Sequence, residues 1–337
     1  MDTTGLNEFL ADNEFAGVVL VRKGDATVFE SATGLATQRW GIPNTIDTRF
    51  DTASITKLFT AVAVLQQVER GALDLETSIH HYVDLADTTI GIGVTLLHLL
   101  THTSGIADIV DEEAGEEYEA LWARVPNYTL TETKDYLPLF ADKEPVSAPG
   151  VDSEYSDAGY ILAGLAVEKV TGLSFRQYVM NEIFAPAGMT DSGFFDRREA
   201  TPKLAEGWDQ AENGTWASSV FATPPIGSPD GGAQATAADL VTFLDALRNG
   251  TLLNAEMTEE FFSPQVEHDE STAFGFGLEF DLDEDGSVRS YYKDGVNAGA
   301  GGILRHYYEH GLDVVVLSNS EEGAWDVIRE LDERLGG

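Results

Sequence analysis

Cysteine is absent from the 337-residue chain. The protein therefore has no disulfide bond, no thiol nucleophile and no zinc–thiolate site. Basic residues are scarce, since 20 Lys and Arg stand against 58 Asp and Glu and give a formal net charge of −38. A surface of this charge repels nucleic acids and anionic membranes, so we expect neither as a partner.

Uninterrupted apolar segments are short throughout the sequence. None approaches the roughly 18 residues that a membrane-spanning helix requires. Residues 1–15 are polar and acidic, whereas a signal peptide begins with basic residues and continues with an apolar core. These features predict a soluble, cytoplasmic protein, and they leave its oligomeric state open.

The acidic excess is typical of proteins adapted to high salt. At about 1 M salt the Debye length is only about 3 Å, so dispersed carboxylates barely repel one another. At low salt the same charges push the fold apart. We hypothesise a halophilic source, and the alternative is a merely acidic cytosolic protein. A melting temperature that is flat or falling above about 0.2 M salt would contradict the hypothesis.

Residues 50–71 predict a buried helix with reactive groups in its first turn. Ser54 and Lys57 are three residues apart, so on a helix they share a face, about 4.5 Å apart along the axis. Burial and the helix dipole should lower the pKa of Lys57 and favour negative charge on the Ser54 oxygen. A nucleophilic serine can arise in this way without a histidine. The alternative is an N-cap serine beside a snorkelling lysine.

A second S-x-x-K sequence occurs at residues 290–293. It lies in a strand-like segment, where positions three apart point to opposite faces. Only the first copy has the helical context that brings the hydroxyl and the amine together.

Strand patterns gather at both ends of the chain and helical patterns in the middle. Hairpin-length connections predict an antiparallel sheet. The simplest architecture is α+β, with a sheet domain from residues 1–78 and 228–337 and an inserted, all-helical domain from residues 79–227. Strands are expected at residues 15–21, 26–32, 273–280, 287–292, 302–308 and 312–317.

Two further segments carry candidate site residues. Tyr155 precedes a buried helical segment, where its hydroxyl can enter a cleft; beside a lysine its pKa should fall, so that it could shuttle a proton. The alternative is a core tyrosine. Lys293, Asp294 and Gly295 end a predicted strand before a glycine-rich segment, where a ligand can approach backbone N–H groups closely. The alternative there is a surface turn.

Metal sites are not predicted. Residues 281–286 resemble the start of an EF-hand loop, but the twelfth position is Tyr292 instead of glutamate. His98 and His102 are four residues apart without an evident third ligand. The acidic segment 108–119 is expected to be an exposed surface.

The motifs S-x-x-K (54–57), Y-x-D (155–157) and K-x-G (293–295) follow one another in an order that resembles the serine β-lactamase and penicillin-binding-protein superfamily. The resemblance spans nearly the whole chain. It is closer to the class C β-lactamase-like branch, which includes esterases, D-aminopeptidases and DD-peptidases. Further segments that resemble this branch are THTSGI (101–106), PG with YSDAGY (149–160), FAPAGM (184–189) and GG with TAADL (231–240).

The resemblance implies a β-lactamase/transpeptidase-like fold and a mechanism. Ser54 would attack a carbonyl and form an acyl-enzyme, which water hydrolyses, while Lys57 and Tyr155 share the proton transfers. The backbone N–H groups of Ser54 and Val296 would form the oxyanion hole. Lys293 would hold the proton network or a substrate carboxylate. No metal or cofactor is implied.

The sequence departs from the family pattern at two positions. Asp157 stands where the family has an asparagine that contacts the substrate's amide, and a carboxylate cannot donate a hydrogen bond to a carbonyl. It could instead pair with Lys57 or Lys293, or attract a substrate amine. Asp294 stands where β-lactamases generally have threonine, and its charge would repel a β-lactam carboxylate.

These observations favour a carboxylesterase acting on a small-molecule acyl ester. An amidase, a D-aminopeptidase or a weak β-lactamase would use the same chemistry. A non-catalytic binding or sensor protein that keeps the fold is the alternative from another class.

Overall fold

The structure is a computed structural model that describes residues 1–110, 115–116, 118–211 and 213–335. Its centre is an eight-stranded antiparallel sheet with the strand order β2-β1-β14-β13-β12-β11-β10-β9. The remaining strands form small two-stranded pairs. In chain order the strands are β1 (Gly17–Lys23), β2 (Ala26–Thr33), β3 (Leu35–Thr37), β4 (Ile42–Pro43), β5 (Phe50–Asp51), β6 (Trp208–Gln210), β7 (Trp216–Ser218), β8 (Gln234–Ala235), β9 (Val266–Glu267), β10 (Thr272–Phe274), β11 (Glu279–Leu282), β12 (Val288–Asn297), β13 (Ala300–Tyr307) and β14 (Leu312–Ser318).

Helices cover both faces of the sheet. The α-helices are α1 (Leu6–Asp12), α2 (Lys57–Glu69), α3 (Leu96–Leu100), α4 (Tyr118–Trp122), α5 (Asp157–Thr171), α6 (Phe175–Val179), α7 (Ala185–Ala187), α8 (Ala237–Arg248), α9 (Ala255–Phe261) and α10 (Trp325–Leu335). Short 3₁₀ segments are Ala53–Thr56, Ile79–His81, Asn127–Thr129, Thr133–Leu139 and Ser219–Phe221, and Met180–Phe184 is a π-helical turn.

The side chains of β14 alternate between two hydrophobic cores, one on each face of the sheet. Val314 and Val316 pack with α1 and α10, whereas Val315 and Leu317 pack with α2, α5 and α8. Successive side chains of a strand point to opposite faces, so a strand buried on both faces needs the continuous apolar run seen here. β14 pairs with β1 from Gly17↔Ser318 to Lys23↔Leu312, which joins the two ends of the chain in one sheet.

The expected α+β architecture is therefore confirmed, with corrections in detail. The segment 273–280 is two strands, because Gly277 has a left-handed φ of +82° and turns the chain between β10 and β11. Strand β12 continues through Lys293 and Gly295, which the sequence had placed at its end. The segment 79–227 contains the β6–β7 hairpin besides its helices. The limits at 78/79 and 227/228 stay a prediction.

An ion pair between the partly exposed Arg248 and the buried Asp313 joins α8 to the sheet. Arg248 donates to both carboxylate oxygens of Asp313 at 2.7 and 2.6 Å, and His306 Nδ1 lies 2.8 Å from Asp313 Oδ1. Burial alone would raise the pKa of Asp313, but its hydrogen bonds to Arg248 and His306 hold that pKa at about 2.

We expect Asp313→Ala to lower the free energy of unfolding by about 2 kcal/mol, because the partly exposed guanidinium of Arg248 loses a charge-assisted hydrogen-bonding partner. The pKa of the carboxyl is lower in the folded state than its unfolded value of about 3.9. Its stabilisation is therefore complete above about pH 4 and lost as the pH falls toward 2. Urea unfolding across this range should show the variant converging on wild type. Asp326→Ala, which breaks an exposed pair with Arg329, should change stability by less than about 1 kcal/mol.

Candidate active site

Ser54 lies in the 3₁₀ turn Ala53–Thr56 that leads directly into α2, so it precedes the α-helix by one turn. Its neighbours Ala53 and Ile55 are buried, whereas Ser54 is half-buried and lines a cleft. Ala53 has a left-handed φ of +42°, a strained conformation for alanine. Its N–H donates to Asp51 Oδ1 at 2.8 Å, and its carbonyl accepts from Gly232 N–H at 3.2 Å. These bonds hold the turn that presents the hydroxyl.

Lys57, the first residue of α2, has no exposed side-chain surface. Its Nζ donates to three acceptors: Ser54 Oγ at 3.1 Å, Asp157 Oδ1 at 2.5 Å and the carbonyl oxygen of Asp230 at 2.8 Å. An ammonium has three protons to donate, so all of them are used. The pair of hydroxyl and amine that the spacing predicts is thus present in the structure.

The expectation that Lys57 has a lowered pKa is wrong. Burial does lower the pKa, but the charge of Asp157, with further contributions from Tyr155 and Asp230, outweighs burial and raises it above the usual lysine value. The amine is therefore held as an ammonium in the resting site.

Asp157 is placed by the start of α5. Ser156 is the N-cap residue and accepts the N–H of Gly159 at 3.1 Å. Oδ1 of Asp157 faces Lys57, and Oδ2 accepts the Tyr118 hydroxyl at 3.0 Å. Of the partners considered from sequence, the structure brings Asp157 to Lys57, and both of its carboxylate oxygens are engaged.

Asp108 is a residue whose part in the site the sequence did not reveal. It belongs to the segment expected to be exposed, but its carboxylate accepts the N–H groups of Asp157 at 2.9 Å and Ala158 at 2.8 Å. Burial, followed by the nearby charge of Asp157, raises its pKa to about 7. This correction concerns the beginning of segment 108–119; residues 111–114 and 117 lie outside the described residues. Capping of α5 by a carboxylate distant in sequence gives no local signal.

Tyr155 lies between the two lysines. Nζ of Lys57 is 4.9 Å and Nζ of Lys293 is 4.7 Å from the centre of its ring. The side chain is 39% exposed toward the cleft, so it is not a core tyrosine. The expectation of a lowered pKa is wrong, because desolvation of the phenol raises the pKa more than the two lysines lower it.

His102 supports the ring of Tyr155. The two rings stack with centroids 4.5 Å apart and an angle of 24°. His102 Nδ1 accepts the N–H of Ser156 at 3.0 Å, and burial followed by the charges of Lys293 and Lys57 lowers its pKa well below 6.5. It is therefore a neutral platform. His102 follows α3 with a left-handed φ of +58°, which takes it out of helical register with His98.

Lys293 is buried behind Tyr155 with two carboxylates beside its amine. Nζ donates to Glu279 Oε1 at 2.5 Å and lies 3.3 Å from Asp294 Oδ1. Burial lowers the pKa of Lys293, but Glu279, Tyr155 and Asp294 raise it well above the usual lysine value. Glu279 is the second site residue that sequence reasoning missed, because its partner lies on the next strand.

Gly295 brings strand β12 against the Ser54 turn. A methyl group at this position would lie 2.4 Å from the carbonyl oxygen of Thr52 and 2.8 Å from the amide nitrogen of Ser54. Only glycine allows that approach. Val296, the next residue, lines the same cleft as Ser54 and is 46% exposed. Its position is compatible with the oxyanion role implied by the resemblance.

The predicted site residues therefore meet at one cleft of about 1550 Å³. Ser54, Tyr155, Asp157, Gly295 and Val296 line it. The buried amines of the two motif lysines lie against these residues. Within the described parts of the chain, no cluster of three or more His, Asp or Glu is arranged to hold a metal.

Removing the charge at Asp157 should change the pH profile. This charge raises the pKa of Lys57, so Asp157→Asn should lower that pKa and move the rising limb of kcat/KM to lower pH by about one unit or more. The measurement is ester hydrolysis between pH 5 and 10, with the exposed Asp283→Asn as control. An unchanged limb would show that the protonation of Lys57 does not limit the reaction.

Comparison with known proteins identifies the family of the chain. The β-lactamase family model matches residues 6–335, and the chain belongs to that family. A penicillin-binding protein from Bacillus halodurans has a structure that is similar with a TM-score of 0.93 and 36% identity, over 97% of this chain and 99% of that chain. Penicillin-binding protein 4 of Amycolatopsis lactamdurans is 28% identical over 97% of this chain and 87% of that protein. Esterase EstB of Burkholderia gladioli is 34% identical over 56% of this chain and 49% of the esterase.

The fold and the family thus define a serine hydrolase of the β-lactamase fold, as the three motifs had indicated. In the part of the chain that the structure describes, no helix combines the length and the apolar character needed to cross a membrane.

Proposed function

We propose that this protein is a carboxylesterase that hydrolyses small acyl esters through an acyl-enzyme on Ser54. The observation that carries the proposal is the 3.1 Å contact between Ser54 Oγ and the fully buried Nζ of Lys57, at a cleft open to small molecules. A hydroxyl that is hydrogen-bonded to an amine on one side and accessible to substrate on the other is suited to attack an acyl carbonyl.

The proton path follows from the charge state of Lys57. Because the resting ammonium cannot accept a proton, Lys57 must first lose one proton to solvent, a loss that the charge of Asp157, 2.5 Å away, opposes. Its neutral amine then takes the proton of Ser54 as Oγ forms a bond to the acyl carbon. Proton transfer by positioned groups of this kind typically contributes about 10²–10⁴ in rate.

The remaining steps involve the backbone N–H groups at the cleft and the hydroxyl of Tyr155. The N–H groups of Ser54 and Val296 stabilise the negative charge on the carbonyl oxygen while the tetrahedral intermediate forms. Tyr155, between the two lysine amines, relays the proton from Lys57 to the departing alkoxide. Water then attacks the acyl-enzyme, and the same groups return a proton to Ser54.

Two observations favour an ester over a penicillin. Asp294 adds a negative charge beside Lys293, at 3.3 Å, and both carboxylate oxygens of Asp157 are already bonded within the protein. The similarity to a protein named as an esterase supports the same choice.

The test compares a neutral 4-nitrophenyl ester with nitrocefin, at low and molar salt. We expect ester hydrolysis by the wild type and labelling of Ser54 by a fluorophosphonate, both lost in Ser54→Ala. Ser290→Ala is the matched control, since Ser290 heads the second S-x-x-K sequence but its Oγ donates to Asp281 inside the sheet.

Other outcomes separate the alternatives. Turnover of nitrocefin in preference to the ester would favour a β-lactamase. Hydrolysis of D-amino acid amides alone would favour an amidase or D-aminopeptidase. Folded wild type that is neither labelled nor active would favour a binding or sensor protein.

A further inference from the structure

Lys293 has its charge compensated twice. Its side chain is 1% exposed, and its amine contacts Glu279 and Asp294 at 2.5 and 3.3 Å. Glu279 pairs with Tyr292, the neighbour of Lys293 on β12, so the pairing of β11 with β12 brings the carboxylate near the amine. With both acids ionised, the three side chains carry a net charge of −1.

The same compensation occurs at the other cations of the cleft. Lys57 is paired with Asp157, and Arg197 is paired with Asp51. Lys143 contacts Glu116 at 3.3 Å and donates to two backbone carbonyls. Among the described residues, the lysine and the arginine that line the cleft and the two motif lysines thus each have a carboxylate partner.

A substrate carboxylate entering this cleft would find that each of these four cations, the ones that line it or belong to the motifs among the described residues, is already paired with a carboxylate. It would also meet the partly exposed Asp294, which is 38% exposed, and Glu279, which is 17% exposed. Like charges at such distances repel strongly where water is limited. A neutral acyl chain avoids this cost.

We propose that Glu279 and Asp294 determine substrate charge, by holding Lys293 so that the cleft accepts esters with uncharged acyl groups and rejects those that carry a carboxylate. Glu279 is the decisive residue, because it makes the shorter contact with the amine and is the more buried of the two acids. The inference rests on the proposed esterase function and adds the class of ester.

The experiment compares 4-nitrophenyl hexanoate with the mono-4-nitrophenyl ester of adipic acid, which has the same chain length and a terminal carboxylate. We expect the wild type to prefer hexanoate by about 100-fold in kcat/KM at low salt. Glu279→Gln and Asp294→Asn should each reduce this preference about tenfold, and the double variant should nearly abolish it. Molar salt should weaken the wild-type preference.

Asp283→Asn is the matched control, because it removes one negative charge from the exposed turn between β11 and β12 and should leave the preference unchanged. A wild type that hydrolyses both esters equally, or variants that keep the full preference, would overturn the inference while leaving the esterase intact.

The preference for an uncharged acyl chain can also be measured by ligand binding, without turnover. Hexanamide and the monoamide of adipic acid should bind Ser54→Ala with the same preference for the uncharged ligand, again reduced by Glu279→Gln. Absence of ester hydrolysis together with this binding preference would contradict the esterase proposal alone. Equal binding of the two amides would contradict the charge inference.

Discussion

Lys57→Met should lower kcat/KM for a neutral ester by about a thousandfold, within the range of general acid–base effects. Methionine fills a similar volume but cannot accept the proton of Ser54. The change also leaves Asp157 without its cationic partner, because Oδ1 loses the lysine amine that lies 2.5 Å away. Loss of one member of a buried pair typically costs about 3–5 kcal/mol of stability, so the single variant mixes two effects.

The double variant Lys57→Met/Asp157→Asn separates them. It removes both charges of the pair, so stability should recover by most of the loss, while activity stays low. Thermal unfolding and kcat/KM of the four proteins of this cycle give the two effects independently. Recovery of activity in the double variant would show that Lys57 acts only through the fold, and the proposed proton path would be wrong.

Gly295→Ala should lower kcat by about 10²–10³, the usual effect of losing one oxyanion donor. The added methyl group would lie 2.4 Å from one backbone oxygen and 2.8 Å from the amide nitrogen of Ser54. Since backbone atoms cannot rotate away, β12 and the Ser54 turn must separate. The N–H groups of Ser54 and Val296 would then lose the relative position that the proposed oxyanion hole requires.

Gly91→Ala is the control for the backbone effect of the substitution. Its added methyl group meets nothing within 4 Å, so activity should stay within about twofold of wild type. We expect Gly295→Ala to keep substrate affinity better than kcat, because the oxyanion contacts strengthen in the transition state. Full activity of Gly295→Ala would show that the close approach of β12 is not needed for catalysis.

The parts of the site that the sequence predicted are those set by local spacing or by ordered motifs. The separation of Ser54 and Lys57 follows from three residues of helical geometry. The charge state of Lys57 does not, because Asp157 reaches it from another helix, 100 residues further along the chain. The pKa shift of Lys57 expected from burial and the helix dipole therefore had the wrong sign.

Glu279 and Asp108 were likewise missed because their partners are not set by local spacing in the sequence. Glu279 is opposite Tyr292 only because two strands pair in one register, and Asp108 is half-buried only because α5 begins against it. Each contact depends on tertiary packing, whereas the periodicity of a single sequence reports only local secondary structure. The strand expected at 273–280 failed for a local reason, because Gly277 adopts a left-handed turn within an apolar run.

The pairing of β1 with β14 has a consequence for synthesis on the ribosome. Gly17 and Ser318 are neighbours in the sheet although some 300 residues separate them, and β14 is the strand that joins β1 to the β13–β12 wall beside Ser54. A nascent chain therefore carries Ser54 and Lys57 for most of its translation without the strand that completes their surroundings. Folding of this kind is slow and leaves strand edges exposed. We expect the yield of native protein to depend on chaperones that hold the early segments until β14 emerges.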